Sequence, residues 1–190
     1  MDAATQGLEI REAGEADRAA VLNIERRAFA QPEEAELVAD LLADPTAEPR
    51  LSLLALFDGE PVGHILFTAA ELEGAGRRVK AAILAPLAVL PKAQGKGCGG
   101  ALIREGLKRL QAEGVELVFV LGHADYYPRH GFVPALPHGL EAPHPIPPEH
   151  HDAWMVQALK EDVLGMLRGT VRPAKTLARP ELWREDEEPA

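Results

Sequence analysis

The chain reads as an α+β domain with a central mixed sheet and flanking helices. Three patterns carry that reading. Strand-length apolar segments joined by tight turns fill Leu51 to Leu90, a glycine-dense turn then opens a helix, and a continuous apolar run follows from Val115 to Leu121. The first pattern is an antiparallel meander, and a strand that follows a crossover helix lies parallel to its predecessor, so the sheet is mixed. With 190 residues, 46% hydrophobic and 26% charged, the chain can bury one sizeable core. We expect a single domain over residues 1–170, its core at 8–160, and a partly mobile tail over 171–190.

In chain order, Leu8 to Arg11 suits a short opening strand. From Glu15, the spacing of Val21, Ile24 and Ala28 is that of an amphipathic helix. A second helix follows Gln31-Pro32 on the stripe Leu37, Val38, Leu41 and Leu42, and Pro45 ends it. Leu51 to Phe57 and Val62 to Thr68 flank the hairpin signal Asp58-Gly59, and Glu73 to Gly76 turns into a third strand, Val79 to Leu90. Pro86 cannot donate to a ladder, so it marks an edge or a bulge in that strand. A helix on Ile103, Leu107 and Leu110 is closed by Gly114, and Val115 to Leu121 is a buried strand. Pro134 to His151, thick with proline and histidine, reads as a long loop, Asp152 to Leu159 as the final strand, and Pro180 to Ala190 as a mobile acidic end.

Charge and composition exclude several functions. Lys+Arg total 20 against 30 Asp+Glu, a net charge of -10, which opposes both nucleic-acid binding through phosphate contacts and attraction to anionic lipid. One cysteine rules out an intramolecular disulfide and a multi-cysteine zinc site, and suits a reducing compartment. Residues 1–17 lack a basic start followed by an apolar run, so no signal peptide is expected and a cytoplasmic location is. No apolar stretch approaches the ~20 residues of a membrane span.

The glycine turn is the informative stretch. Glycines at 95, 97, 99 and 100 precede a helix whose first N–H groups lack internal partners and carry the positive end of its dipole. Such a turn cradles an anion, although glycines also serve a tight turn alone. Gly95 to Gly100 satisfies G-x-G-x-x-G, but antiparallel hairpins precede it and only one crossover follows, so the dinucleotide fold does not fit. The P-loop fails as well, because Gly97 follows Lys96.

Gln94-Gly95-Lys96-Gly97-Cys98-Gly99 resembles the Q/R-x-x-G-x-G/A signature of the GNAT (GCN5-related) N-acetyltransferases. Tyr126-Tyr127-Pro128-Arg129-His130-Gly131-Phe132 resembles that family's second signature, and the element order is also similar over residues 8 to 133. The tail with Trp154-Met155-Val156 looks like an uncharacterised bacterial predicted-acetyltransferase subgroup. The resemblance implies the GNAT acyl-CoA N-acyltransferase fold, with a splayed parallel strand pair, and acetyl-CoA as cosubstrate. Its pyrophosphate would rest on Gln94, Gly95, Lys96, Gly97, Cys98, Gly99 and Gly100. Its pantetheine arm would bond unpaired backbone groups around Leu87, Ala88 and Val89, where Pro86 bulges the strand.

The resemblance also makes Tyr127 the catalytic candidate, donating a proton to the departing thiolate, while Tyr126 suits a packed core ring. The group that deprotonates the acceptor is open. Ala81 to Ala85 carry no carboxylate, which leaves Glu25, Glu33, Glu34, His64 and His123, with His64 and His123 beside apolar strand segments. Cys98 at a helix N-terminus deserves weighing as a nucleophile, but it lies at the pyrophosphate end and reads as packing. His138, His144, His150 and His151, at spacings of six, six and one, match no metal-site pattern, so no metal is expected. The expected reaction is acetyl transfer from acetyl-CoA to a primary amine, on a small molecule or a protein, by direct attack in a ternary complex. The alternative is a CoA-binding sensor or partner module without turnover. A homodimer through the C-terminal strand is compatible with either.

Overall fold

The computed structural model describes residues 7–184. Strand β1 (Leu8–Glu12) leads through a short 3-10 turn into α1 (Arg18–Phe29) and α2 (Glu33–Ala43). The meander follows as β2 (Leu51–Phe57), β3 (Glu60–Glu73) and β4 (Ala81–Val89), all antiparallel. Helix α3 (Cys98–Ala112) crosses over to β5 (Leu117–Leu121), which lies parallel to β4 through Ala81↔Leu117 to Ile83↔Phe119. Strand β8 (Trp154–Ala158) pairs antiparallel with β5, giving the order β1-β2-β3-β4-β5-β8-β6 with the two-residue β6 (Val133–Pro134) at the far side.

Alternation along β2 and β3 divides the core into two layers. Leu54 and Leu66 face α1 and α2, joining Val21, Ile24, Val38, Leu41, Phe119 and Trp154. Leu53 and Phe67 face α3, joining Leu102, Ile103, Val118 and Met155. Helix α3 can approach closely because Gly106 lies against the Phe67 ring, where a Cβ would collide.

Three expectations are corrected. Pro134 to His151 is not an irregular loop. It contains β6, a 3-10 turn at Leu136–His138, β7 (Leu140–Glu141) and another 3-10 turn at Pro148–Ala153. Leu140 is fully buried and its carbonyl accepts from Trp154 Nε1 at 3.1 Å. His144 Nε2 and His151 Nε2 bond the carbonyls of Ala178 and Ile146, so both rings tie the segment down.

Nor is β8 the last strand, and residue 170 is not a boundary. Strand β9 (Gly169–Pro173) pairs antiparallel with the end of β3, which outruns β2, and parallel with β7. Beyond it Leu177 and Trp183 are buried, Trp183 meeting Trp154 edge-on with ring centroids 5.4 Å apart. Residues 171–183 are therefore anchored to the core through Val171, Ala174, Leu177 and Trp183, because the exposed edge of an overlong β3 recruits them. Of the acidic end, residues 185–190 lie outside the described ones. Strand β8 is flanked by β5 on one side and partly by β6 on the other, so it offers little open edge to a second copy.

Candidate functional site

Pro86 lies in a central strand, and it marks a bulge rather than an edge. Across β3, Ile65↔Leu87 is followed by Phe67↔Leu84, so β4 spends one extra residue around Ala85 and Pro86. A bulge bends its strand, and β4 pairs with β5 only as far as Ile83 before the two diverge. Leu90 N–H donates to Val62 O at 2.8 Å, so Ala88 and Leu90 turn their backbone groups to β3, while Leu87 and Val89 turn theirs to the gap. The gap is thus edged by backbone groups without a β5 ladder.

This gap opens into a groove of about 690 Å³ edged by Leu87, Val89, the glycine turn, Arg104, His123, Tyr126, Tyr127, Arg129 and His130. Gly95 (φ 71°) and Gly97 (φ 77°) are left-handed, which side chains rarely adopt, and the turn delivers the chain into α3 at Cys98. Ala101 N–H is the donor to Gly97 O at 3.0 Å, so the N–H groups just before it lie at the open end of the helix. Gly99 carries a further demand: Tyr126 Oη occupies the place a Cβ would take. At Gly100 a Cβ would lie 3.0 Å from the His130 ring.

Tyr127 is 7% exposed and closes one wall. Its ring packs edge-on against Tyr126 (5.3 Å) and Phe132 (5.6 Å) and lies over Gly122, where a Cβ would come within 2.5 Å of it. Burial pushes its phenol well above the ordinary value, so the hydroxyl keeps its proton at neutral pH and is available as a donor. Burial likewise pushes the Cys98 thiol up to about 11, so it is a neutral, packed side chain rather than a thiolate. His130 is pushed down by burial and by the neighbouring Arg104 and Arg129.

Of the residues expected at the site, Tyr127, Leu87, Val89, Gln94, Gly95, Gly97, Cys98, Gly99 and Gly100 line the groove. Ala88 does not, since its side chain is buried on the α1 face, and exposed Lys96 is not part of the wall. Gln94 also does something unforeseen: its Nε2 donates to Val89 O at 3.0 Å, occupying one of the gap-facing carbonyls. Sequence reading missed Gly63 and Gly122, which make room for Cys98 and Tyr127; glycine within or ending a strand was the available signal. Among the candidate bases, Glu33 and His123 are exposed, whereas Glu25 and His64 are fully buried and meet at 2.5 Å.

Comparison with known proteins agrees with this geometry. The family described as acetyltransferase (GNAT) domain matches residues 9–135. The chain is similar, at 51% identity over 83% of its length and 87% of the relative's, to the uncharacterized N-acetyltransferase YjhQ of Escherichia coli (strain K12). The crystal structure of the GNAT family N-acetyltransferase YhbS of Escherichia coli in complex with CoA superposes with a TM-score of 0.81 at 31% identity, covering 90% of this chain and 92% of that one. A GNAT family acetyltransferase from Brucella melitensis in complex with acetyl-CoA gives 0.69 at 29% identity, covering 90% and 97%. A bulged β4 parting from β5, a glycine turn into α3 and a match over most of the chain lead to one conclusion: this protein belongs to the GNAT N-acetyltransferase family.

Proposed function

We propose that the protein transfers an acetyl group from acetyl-CoA to a primary amine by direct attack in a ternary complex. The observation that carries this reading is the parting of β4 from β5 directly above the glycine turn. An amide-bearing arm laid along the gap would meet the backbone of Leu87 and Val89, and its pyrophosphate would meet the N–H groups at the start of α3. Arg104 and Arg129 add positive charge on the same wall. Acetyl-CoA supplies the activated thioester. The chain orients the arm and places the Tyr127 hydroxyl, which holds its proton at neutral pH, where a departing thiolate can take it. No covalent enzyme intermediate is needed, since Cys98 is a buried neutral thiol. The amine belongs to a small molecule or to a protein, in the cytoplasm.

The test is to mix the purified protein with acetyl-CoA and a panel of polyamines, amino acids, aminoglycosides and peptides, following free thiol and the melting temperature together. A melting shift with acetyl-CoA and thiol release with at least one amine are expected. Binding without release from any amine would favour the sensor reading, and no shift at saturating acetyl-CoA would remove both.

A further inference from the structure

The charge along the cofactor groove is one-sided. Its lining holds Arg104, Arg129, His123 and His130 and no carboxylate, in a chain where acids outnumber bases 30 to 20. Arg104 stands on α3 four residues past Gly100, and helical side chains lean toward the N-terminus of their helix. Its guanidinium therefore lies back over the first turn of α3. A Cβ built on Gly100 would come 3.1 Å from Arg104 Nη1 and 3.0 Å from His130 Cε1, so both groups share the space this glycine leaves. Arg129 and His130 arrive on the 3-10 turn Tyr127–His130, which packs against α3. Burial holds His130 below its ordinary pKa, and Arg104 and Arg129 each push it further, so two cations act on one ring.

Neither guanidinium forms an ion pair among the described residues. Glu105 adjoins Arg104 in sequence but turns to Arg109, at 2.8 Å. Like charges gathered without a counterion repel, and both arginines are exposed, so packing does not explain their meeting. An anion does. In the reading above, the diphosphate meets the N–H groups at the start of α3, behind left-handed Gly95 and Gly97. The arginines stand beyond that place, one turn along α3 and on the facing 3-10 turn. A planar guanidinium suits a terminal phosphate, whose free oxygens accept bidentate pairing.

We propose that Arg104 and Arg129, gathered with His130 over Gly100, hold the 3′-phosphate of CoA and make the protein selective for CoA over 3′-dephospho-CoA. This rests on the acetyl-CoA reading and goes beyond it by assigning the remaining phosphate. That monoester sits on the ribose, one sugar away from the diphosphate, and brings roughly −1.5 to −2 of charge at neutral pH. It thus supplies the counterion that the two arginines lack. The acyl group and its arm are the same in both cofactors, so the discrimination falls on this end of the groove alone.

The test is isothermal titration calorimetry of the full chain with CoA and with 3′-dephospho-CoA at one ionic strength. Hydrogen bonds to charged groups set the scale, so the wild type should bind CoA about 10- to 100-fold more tightly. Arg104→Gln/Arg129→Gln should bring the affinity for CoA down to that for 3′-dephospho-CoA, while the latter moves by no more than a few-fold. Both side chains are exposed, so the ligand-free variant should melt close to the wild type. Equal wild-type affinities for the two cofactors would overturn the assignment. An equal loss on both in the double variant would overturn it too, by placing the arginines on the diphosphate. A wild type that binds neither molecule would remove the acetyl-CoA reading itself, and this inference with it.

Discussion

Tyr127 and Tyr126 are adjacent, yet the fold gives them different work. Tyr127 is nearly enclosed at the end of the β4–β5 gap, whereas Tyr126 presses its hydroxyl onto Gly99. Removing the Tyr127 hydroxyl leaves its edge-on contacts intact. Tyr127→Phe should therefore keep CoA affinity and melting temperature while turnover falls by ~10²–10⁴-fold, the usual worth of a placed general acid. Tyr126→Phe should lose only a few-fold. Equal, small losses in steady-state assays of the two variants would assign the thiolate's proton to another source. Cys98 makes a complementary case, since its thiol is 1% exposed and neutral. Cys98→Ala should cost about 1 kcal/mol by chemical denaturation and leave turnover within a few-fold. An acetyl group found on Cys98 by mass spectrometry would refute direct transfer.

The glycine turn and the first turn of α3 act together. Gly97 holds a left-handed conformation, and Gly99 has no space for a Cβ beneath Tyr126. A carboxylate there would repel a diphosphate and displace the ring. Acetyl-CoA at ~100 times its dissociation constant should stabilise the wild type by about 2.7 kcal/mol, a melting shift of roughly 5–10 °C. Gly99→Asp and Gly97→Asp should abolish that shift in thermal denaturation. A variant that keeps it would remove the cradle from the pyrophosphate.

Across the molecule, the C-terminal stretch is joined to the rest through two devices. Strand β9 completes the edge of β3, and Asp44 at the end of α2 accepts from the backbone N–H and hydroxyl of Thr176 as well as from Thr46. A chain ending at Arg168 loses the buried side chains of Val171, Leu177 and Trp183. At ~1.5–3 kcal/mol each, it should melt at least roughly 10 °C lower. A neutral truncation would restore the boundary at 170. The hydrogen bonds from Thr46 and then Thr176, opposed by partial burial, hold the Asp44 carboxyl well below the usual range. A carboxyl depressed in the folded state stabilises above its unfolded value and loses that contribution as pH falls toward the folded one. Asp44→Asn should therefore cost about 1–3 kcal/mol at pH 7, and its difference from wild type should shrink below about pH 4. A difference independent of pH would exclude the charge as its source.

Much of this architecture is written in short-range patterns. Helix stripes, the Asp58-Gly59 hairpin and the glycine turn are each decided within about ten residues, so α1, α2, the meander, α3 and β5 are legible before any contact is known. The groove is legible for the same reason, since its turn and Tyr127 belong to two local motifs. What local pattern does not hold is decided by who packs against whom. Leu140 and Trp154 order a proline-rich stretch whose backbone alone has no preferred partner. The overhang of β3 turns an apparent tail into β9, and only the ladder shows that Ala88 faces away from the groove. Glu25 and His64, 39 residues apart, look like surface and strand residues until α1 lies across the sheet and excludes water from both. Desolvation is a property of the assembled core, and it is what turns an ordinary carboxylate and imidazole into a buried hydrogen-bonded pair.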